Sequence, residues 1–82
     1  MRILYFSWLR ERAGVSSENH TTNAKTVEEL IAELRTLDQK YIAVFEDLSN
    51  IKVAVDQELV DNFQVSITGA REIAFFPPMT GG

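Results

Sequence analysis

One strongly amphipathic segment, residues 26–37, most constrains the fold of this chain. Thr26 is a predicted N-cap, and Glu29 three residues later completes a capping box. Apolar residues then recur at helical spacing through about Leu37, at Val27, Leu30, Ile31 and Leu34. Because a helix with one apolar face must pack on a second layer, the rest of the chain has to supply that layer.

The remaining segments predict a sheet. Residues 2–9 and 71–76 are short apolar runs rich in aromatic and branched side chains, and residues 51–55 alternate between polar and apolar. Weaker patterns predict strands at 17–23 and 58–60, a loop at 10–16 and a short helix at 39–47. This order predicts one α+β domain over residues 1–76, a mixed sheet with one main helix packed on one face. Residues 77–82 are expected to form an extended tail.

Composition argues against several classes of function. The 82 residues include no cysteine, so the chain has no disulfide framework, thiolate nucleophile or cysteine-based metal site. A net charge of −4 without a basic stripe argues against nucleic-acid and membrane partners. No apolar run reaches the ~18 residues of a membrane helix. Arg10, Glu11 and Arg12 interrupt the apolar start where a signal peptide would be cleaved, so a cytoplasmic location is expected.

No residue pattern predicts a self-contained active site. The single histidine, His20, lies in a polar segment without metal-ligand spacing and is predicted to be a surface residue. Ser7 and the other serines lie outside a nucleophile-elbow motif, and the four glycines form no phosphate-binding loop. Glu28, Glu29 and Glu33 are predicted to form a solvated helix face. We therefore expect neither a metal nor a bound cofactor.

The final residues carry the most specific functional signal. Pro77 and Pro78 stop the last strand and favour extended backbone, while Gly81 and Gly82 have no side chain to obstruct a narrow channel. Extended backbone from Pro77 to Gly82 could span about 20 Å, at ~3.3–3.6 Å per residue. The chain could thus deliver the α-carboxylate of Gly82 into the active site of another protein.

The Gly82 carboxylate needs activation before it can react. It is ionised at neutral pH and is a poor electrophile until a partner converts it into an acyl-adenylate with ATP. Attack by a sulfur donor on that adenylate would give a thiocarboxylate, whereas attack by a lysine would give an isopeptide bond. The residues themselves leave both chemistries open.

Two-residue alternation predicts which side chains share a face of the sheet. The side chains expected to face the helix are Ile3, Tyr5, Ile73 and Phe75. The opposite face would then present Leu4, Phe6, Trp8, Ala74 and Phe76. This face is a predicted docking surface, and coverage by loops is the alternative.

Several motifs resemble those of one known family. The ending Phe75-Phe76-Pro77-Pro78-Met79-Thr80-Gly81-Gly82 is similar to the F-F-P-P-x-[ST]-G-G terminus of the small, sulfur-carrier subunits of molybdopterin synthase. Residues 10–14 resemble the R-E-x-x-G motif of that family, residues 26–30 its helix opening and residues 53–60 its V-N-Q-x-L-V segment. Asp56 stands where asparagine is usual, and Met79 where valine is common. The chain is thus identified as a member of the ubiquitin-like MoaD/ThiS family.

The resemblance implies a ubiquitin-like β-grasp fold and the role of a sulfur carrier. An adenylating enzyme related to ubiquitin-activating proteins would join AMP to Gly82, which follows Gly81, and a sulfur donor would form the thiocarboxylate. The large subunit of molybdopterin synthase would bind cyclic pyranopterin monophosphate and receive the sulfur, usually in a heterotetramer. ATP and Mg²⁺ would serve the activating partner, so this chain would bind no cofactor itself. Contacts with the large subunit are expected from Phe6, Leu59, Phe76, Pro77, Pro78, Met79 and Thr80.

Three other functions remain open. A thiazole-synthesis sulfur carrier shares the fold and the Gly-Gly end, but the Phe-Phe-Pro-Pro segment argues against it. A ubiquitin-like protein modifier would be conjugated to its targets through Gly82. A plain interaction domain would leave the tail without a role.

Overall fold

A computed structural model describes residues 1–78 of the chain. Within these residues the strands are β1 (Arg2–Tyr5), β2 (Ser17–Asn19), β3 (Lys52–Val55), β4 (Glu58–Val60) and β5 (Glu72–Phe76). They form one sheet in the order β2-β1-β5-β3-β4. β1 runs parallel to β5 and the other neighbours are antiparallel, which confirms the predicted mixed sheet. β2 is shorter than the predicted 17–23.

The helices of the described region are α1 (Trp8–Ala13), α2 (Val27–Leu37) and α3 (Gln39–Val44), followed by a 3₁₀ turn at Leu48–Asn50. α2 is the predicted main helix, and the N–H of Glu29 donates to Thr26 Oγ1 at 3.1 Å. The Glu29 carboxylate in turn accepts from the N–H of Lys25 at 3.3 Å. Two N–H groups at the start of the helix are thereby satisfied, which explains why α2 begins where the sequence predicts.

The core lies between α2 and one face of the sheet. The buried residues of α2 are Val27, Leu30, Ile31 and Leu34. On the sheet, four residues are at most 1% exposed, Ile3, Tyr5, Ile73 and Phe75. The Phe75 ring also meets the Phe45 ring edge-on, with 4.9 Å between ring centres. The predicted orientation of these four residues toward the helix is confirmed.

The apolar run at residues 2–9 contains a strand and the start of a helix, so the prediction of a single strand is wrong. β1 ends at Tyr5, and Ser7 adopts φ 56° and ψ −134°, a conformation rare for residues other than glycine. The Ser7 carbonyl then accepts from the N–H groups of Arg10 at 3.1 Å and Glu11 at 3.4 Å. α1 therefore occupies much of the predicted loop at 10–16 and ends at Gly14, whose φ is 80°.

The β3–β4 hairpin closes through Asp56 and Gln57. Both residues have positive φ, 50° and 70°, which is the signature of a two-residue type I′ turn. Asp56 Oδ1 also accepts from the N–H groups of Arg71 and Glu72, each at 2.9 Å. The turn is therefore joined to the start of β5, which explains why a residue other than glycine serves at this position.

Candidate functional site

The C-terminal segment leaves the domain from the middle of the sheet. β5 lies between β1 and β3 and ends at Phe76. Pro77 and Pro78 follow, half-buried and without regular secondary structure. Because proline has no N–H to continue the pairing, the strand stops here. The predicted site residues beyond this point lie outside the described residues, so their roles stay predictions: Met79, Thr80, Gly81 and Gly82.

The face of the sheet opposite α2 carries two of the predicted docking residues. The strand register places one row of residues across four strands, Leu4, Ala74, Ala54 and Leu59. In the next row along β3 and β5, Lys52 pairs with Phe76. Since residues i and i+2 of a strand share a face, Leu59 and Phe76 project from the same side of the sheet.

Leu59 and Phe76 share a groove at this face. The groove has a volume of about 250 Å³ and is lined by Lys52, Leu59, Val60, Asp61, Phe76 and Pro78. Leu59 is 63% exposed and Phe76 is half-buried, so both present apolar surface to a partner. Lys52 and Asp61 add one charge of each sign. Sequence reasoning missed Lys52, and only the pairing of β3 with β5 could have indicated its position beside Phe76.

Phe6 lies just beyond the end of β1, next to β5. Its N–H donates to the carbonyl of Phe75 at 3.1 Å, and its side chain is 48% exposed. The end of β5, just before Pro77 and Pro78, therefore has another large apolar side chain beside it. The predicted stripe of Leu4, Phe6 and Trp8 is wrong at Trp8, because the turn at Ser7 carries Trp8 into α1.

A second groove also reaches the proline pair. It has a volume of about 560 Å³ and is lined by Trp8, Arg12, Glu46, Asp47, Asn50, Pro77 and Pro78. The Arg12 guanidinium lies 4.6 Å from the centre of the Trp8 ring and donates to the Ala43 carbonyl at 2.9 Å. Arg12 also lies 3.8 Å from the Glu46 carboxylate. Sequence reasoning missed this cluster, and the i, i+4 spacing of Trp8 and Arg12 is the signal that could have indicated it.

His20 is more buried than the surface residue that the sequence predicts. Its Nε2 lies 2.6 Å from Glu33 Oε2, and its side chain is 17% exposed. Hydrogen bonds from His20 and Thr22 lower the pKa of the Glu33 carboxyl. Glu33 therefore joins α2 to the segment after β2, whereas Glu28 and Glu29 are exposed as predicted.

Glu18 on β2 accepts hydrogen bonds from two buried tyrosines. The Tyr5 hydroxyl donates to Oε2 at 2.7 Å, and the Tyr41 hydroxyl donates to the same carboxylate at 2.7 and 2.9 Å. Burial, and then the Glu18 carboxylate, raise the pKa of both hydroxyls, that of Tyr41 to about 12. Both hydroxyls are thus protonated donors at neutral pH, and they hold β1, β2 and α3 together.

The described geometry suits docking of a partner around an emerging C-terminal segment. Across residues 1–78, no group of three or more His, Cys, Asp or Glu side chains could hold a metal ion. No helix in this part of the chain is long and apolar enough to span a bilayer. Exposed Phe6 lies next to the end of β5, and exposed Leu59 lines a groove together with Phe76 and Pro78.

The topology defines the class of protein. A mixed sheet of five strands over residues 1–78, covered on one face by α2 and with β5 parallel to β1, is a ubiquitin-like β-grasp fold. The crystal structure of SAMP1 from Haloferax volcanii matches with a TM-score of 0.75 at 25% identity, covering 100% of this chain and 98% of that one. A Pyrococcus furiosus protein described as subunit 1 of a molybdopterin converting factor has the same fold, with a TM-score of 0.68 at 21% identity and 95% coverage of each chain.

Sequence comparison then identifies the family. The chain belongs to the ThiS family, whose family model matches residues 3–82. The molybdopterin synthase sulfur carrier subunit of Escherichia coli (strain K12) is 33% identical over 82 residues, which is 100% of this chain and 99% of that protein. The subunit of the same name from Haemophilus influenzae is 30% identical with the same coverage. The resemblance seen in the sequence motifs is therefore confirmed.

Proposed function

We propose that this chain is a sulfur-carrier subunit of molybdopterin synthase and that Gly82 carries the sulfur as a thiocarboxylate. Membership in the ThiS family and full-length similarity to two sulfur carrier subunits support the proposal. The structural observation that carries it is the placement of Leu59, Phe76 and Pro78 around one groove where the C-terminal segment begins. A carrier needs such a surface, because its partner must hold the domain while the tail reaches the reaction site.

In the proposed activation, an adenylating partner joins AMP from Mg-ATP to the Gly82 carboxylate and releases pyrophosphate. Sulfur delivered as hydrosulfide then attacks the acyl carbon, the bond between that carbon and the AMP oxygen breaks, AMP leaves and the thiocarboxylate forms. Gly81 and Gly82 allow the backbone to pass through a narrow channel, and Pro77 and Pro78 restrain its first two residues. This chain binds no cofactor in the scheme, and a cytoplasmic location, where ATP is available, fits it.

In the proposed transfer, the large subunit of molybdopterin synthase binds both the tail and cyclic pyranopterin monophosphate. Met79 and Thr80 would lie inside the channel that leads to the substrate. Ordering residues 79–82 costs about 1–2 kcal/mol of backbone entropy for each residue. Burial of Phe6, Leu59 and Phe76 contributes about 1.5–3 kcal/mol for each, which offsets that cost. The apolar surface is therefore expected to supply much of the affinity.

Removal of Gly82 tests the proposal. The full chain and the chain lacking Gly82 would each be incubated with the adenylating partner, Mg-ATP, the sulfur donor, the large subunit and the pterin precursor. We expect molybdopterin to form only in the reaction that contains the full chain. The circular dichroism spectra and melting curves of the two chains should be identical. Leu37→Ala, an exposed residue at the end of α2, is the matched control and should transfer normally. Full transfer without Gly82 would contradict the proposal.

Intact mass spectrometry of the protein from its native host separates a sulfur carrier from a protein modifier. A carrier should show a species heavier by the difference between sulfur and oxygen, and the large subunit with its substrate should remove that species. A modifier should appear in larger adducts joined to lysine through Gly82. Adducts without any thiocarboxylate would favour the modifier.

A further inference from the structure

We propose that Trp8 sets the direction in which the C-terminal segment leaves the sheet and is thereby a positioning residue for sulfur transfer. The inference rests on the proposed carrier function, because a tail needs a fixed direction only if it must reach the active site of a partner. It extends that function to a residue outside the sheet face that carries Leu59 and Phe76.

The first observation is that Trp8 and the proline pair belong to one groove. Pro77 and Pro78, which belong to no strand or helix, line this groove together with Trp8 and Arg12. The groove has a volume of about 560 Å³. The rings of the prolines already restrict φ at these two positions. The Trp8 indole forms part of the wall of the same groove, and in our proposal it restricts the orientations that remain. Because a small angular error at the start of a chain segment grows with each residue that follows, the backbone direction at Pro77 and Pro78 matters most for reaching a distant site.

The second observation is that Trp8 is itself held in place. Ser7, with φ 56° and ψ −134°, turns the chain from β1 into α1 immediately before Trp8. Residues other than glycine keep such a conformation only where the surrounding structure enforces it, and these positions concentrate at functional sites. From the other direction, the Arg12 guanidinium covers the Trp8 ring at 4.6 Å and donates to the Ala43 carbonyl at 2.9 Å. Trp8 thus directly follows a rare backbone conformation and lies against a charged neighbour, although it is only half-buried.

A positioning residue and a docking contact predict different kinetics. Loss of a docking contact raises the concentration of large subunit that is needed but leaves the rate at saturation unchanged. Loss of positioning lowers the saturated rate, because the reacting groups no longer meet in the productive geometry. The two roles can therefore be separated by measuring affinity and saturated rate for the same variant.

The decisive experiment measures a single turnover of sulfur transfer from thiocarboxylated protein at saturating large subunit. Trp8→Ala should slow transfer by about 10- to 100-fold while its affinity for the large subunit stays within about threefold of the unaltered chain. Trp8→Phe, which keeps an aromatic wall, should restore most of the rate. Leu37→Ala is the matched control on a distant surface and should change neither quantity.

A second measurement needs no partner. Trp8 is the single tryptophan of the chain, so fluorescence excited selectively at tryptophan rather than at the two tyrosines reports on this groove. Replacing both prolines, Pro77→Gly with Pro78→Gly, should shift the Trp8 emission to longer wavelength and increase its quenching by acrylamide. Arg12→Gln should also lower the saturated rate of transfer. If Trp8→Ala does not fold, Arg12→Gln replaces it in the experiment.

Two results would overturn the positioning role. One is a normal saturated rate for Trp8→Ala. A defect in transfer that excess large subunit fully restores counts as this result, because the rate at saturation is then normal. The other is an unchanged Trp8 emission after removal of both prolines. Absence of transfer by the unaltered chain would instead contradict the proposed carrier function, so the two failures are distinguishable.

Discussion

Leu59 on β4 and Phe76 on β5 line the same groove, although β3 lies between their strands. Ala54 of β3 pairs with Leu59, and Lys52 of β3 pairs with Phe76, so the two apolar side chains project from one face. Pro78 lines the groove as well, which joins the apolar surface to the start of the tail. This arrangement leads to predictions that separate docking from folding.

Leu59→Arg should severely weaken binding to the large subunit while leaving the free domain folded. Leu59 is 63% exposed, so its replacement should change the free energy of unfolding by only about 0.5 kcal/mol. In the complex, burial of an unpaired charge should lower the affinity by at least about 2 kcal/mol. Calorimetric titration and melting curves measure the two effects.

Leu37→Arg is the control for Leu59→Arg, because Leu37 is similarly exposed at 59% but lies at the end of α2. The affinity of Leu37→Arg for the large subunit should be unchanged. Phe76→Arg should weaken binding as Leu59→Arg does, with a larger effect on folding because Phe76 is half-buried. Normal affinity of both sheet-face variants would show that the docking surface lies elsewhere.

Asp56→Ala should destabilise the domain by about 1–3 kcal/mol. The change removes the acceptor for the N–H groups of Arg71 and Glu72, and it leaves alanine at a positive φ that aspartate tolerates better. Asp56→Asn retains an acceptor oxygen, and asparagine also tolerates a positive φ. Its free energy of unfolding should therefore lie within about 0.5 kcal/mol of that of the unaltered chain. Urea unfolding compares the three proteins, and equal stability of the alanine and asparagine variants would refute the role of the Asp56 side chain.

Stability should fall at alkaline pH because of Tyr5 and Tyr41. Their pKa values are raised in the folded state, that of Tyr41 to about 12, above the usual value of about 10 in the unfolded chain. The folded state therefore holds these protons more tightly, and the stabilisation is complete below about pH 10 and is lost as the pH rises toward 12.

Tyr41→Phe tests this pH dependence. The variant should be less stable at neutral pH by about 1 kcal/mol, since one hydrogen-bond donor to Glu18 is lost, and its stability should decline less steeply above pH 10. Urea unfolding at a series of pH values measures both effects. Parallel curves for the two proteins would exclude a contribution of Tyr41 to the decline.

The isolated chain should neither hydrolyse ATP nor acquire sulfur. The sequence has no glycine-rich phosphate loop and no cysteine, and His20 is paired with Glu33 at 2.6 Å. ATP–pyrophosphate exchange should appear only after an adenylating partner is added, and only with a chain that retains Gly82. Exchange by the pure chain would contradict the assignment of activation to a partner.

Local signals in the sequence were sufficient for α2 and for the strands β3 and β5. The capping pair Thr26 and Glu29 lies within one helical turn, and the apolar spacing that follows needs only neighbouring residues to be recognised. The burial of Ile73 and Phe75 likewise follows from alternation along a single strand.

The region after β1 was mispredicted because its decisive feature is a backbone conformation. Nothing in the identity of Ser7 indicates a φ of 56°, and an apolar run of this length fits a strand. A helix signal was present in the i, i+4 spacing of Leu9 and Ala13 and in Gly14 as a C-cap. The packing of Leu9 and Ala13 into the core stabilises α1 and so settles the choice in favour of a helix.

Sequence patterns alone were enough to predict the α+β class, the main helix, the buried faces of β1 and β5 and the family, because each depends on short-range pattern or on motifs in order. The tertiary structure was needed to show that His20 meets Glu33, that Leu59 and Phe76 share a groove and that Trp8 lines a groove with Pro77 and Pro78. These relationships join segments that are distant in sequence. They depend on strand order and register, which side-chain periodicity within one segment does not encode.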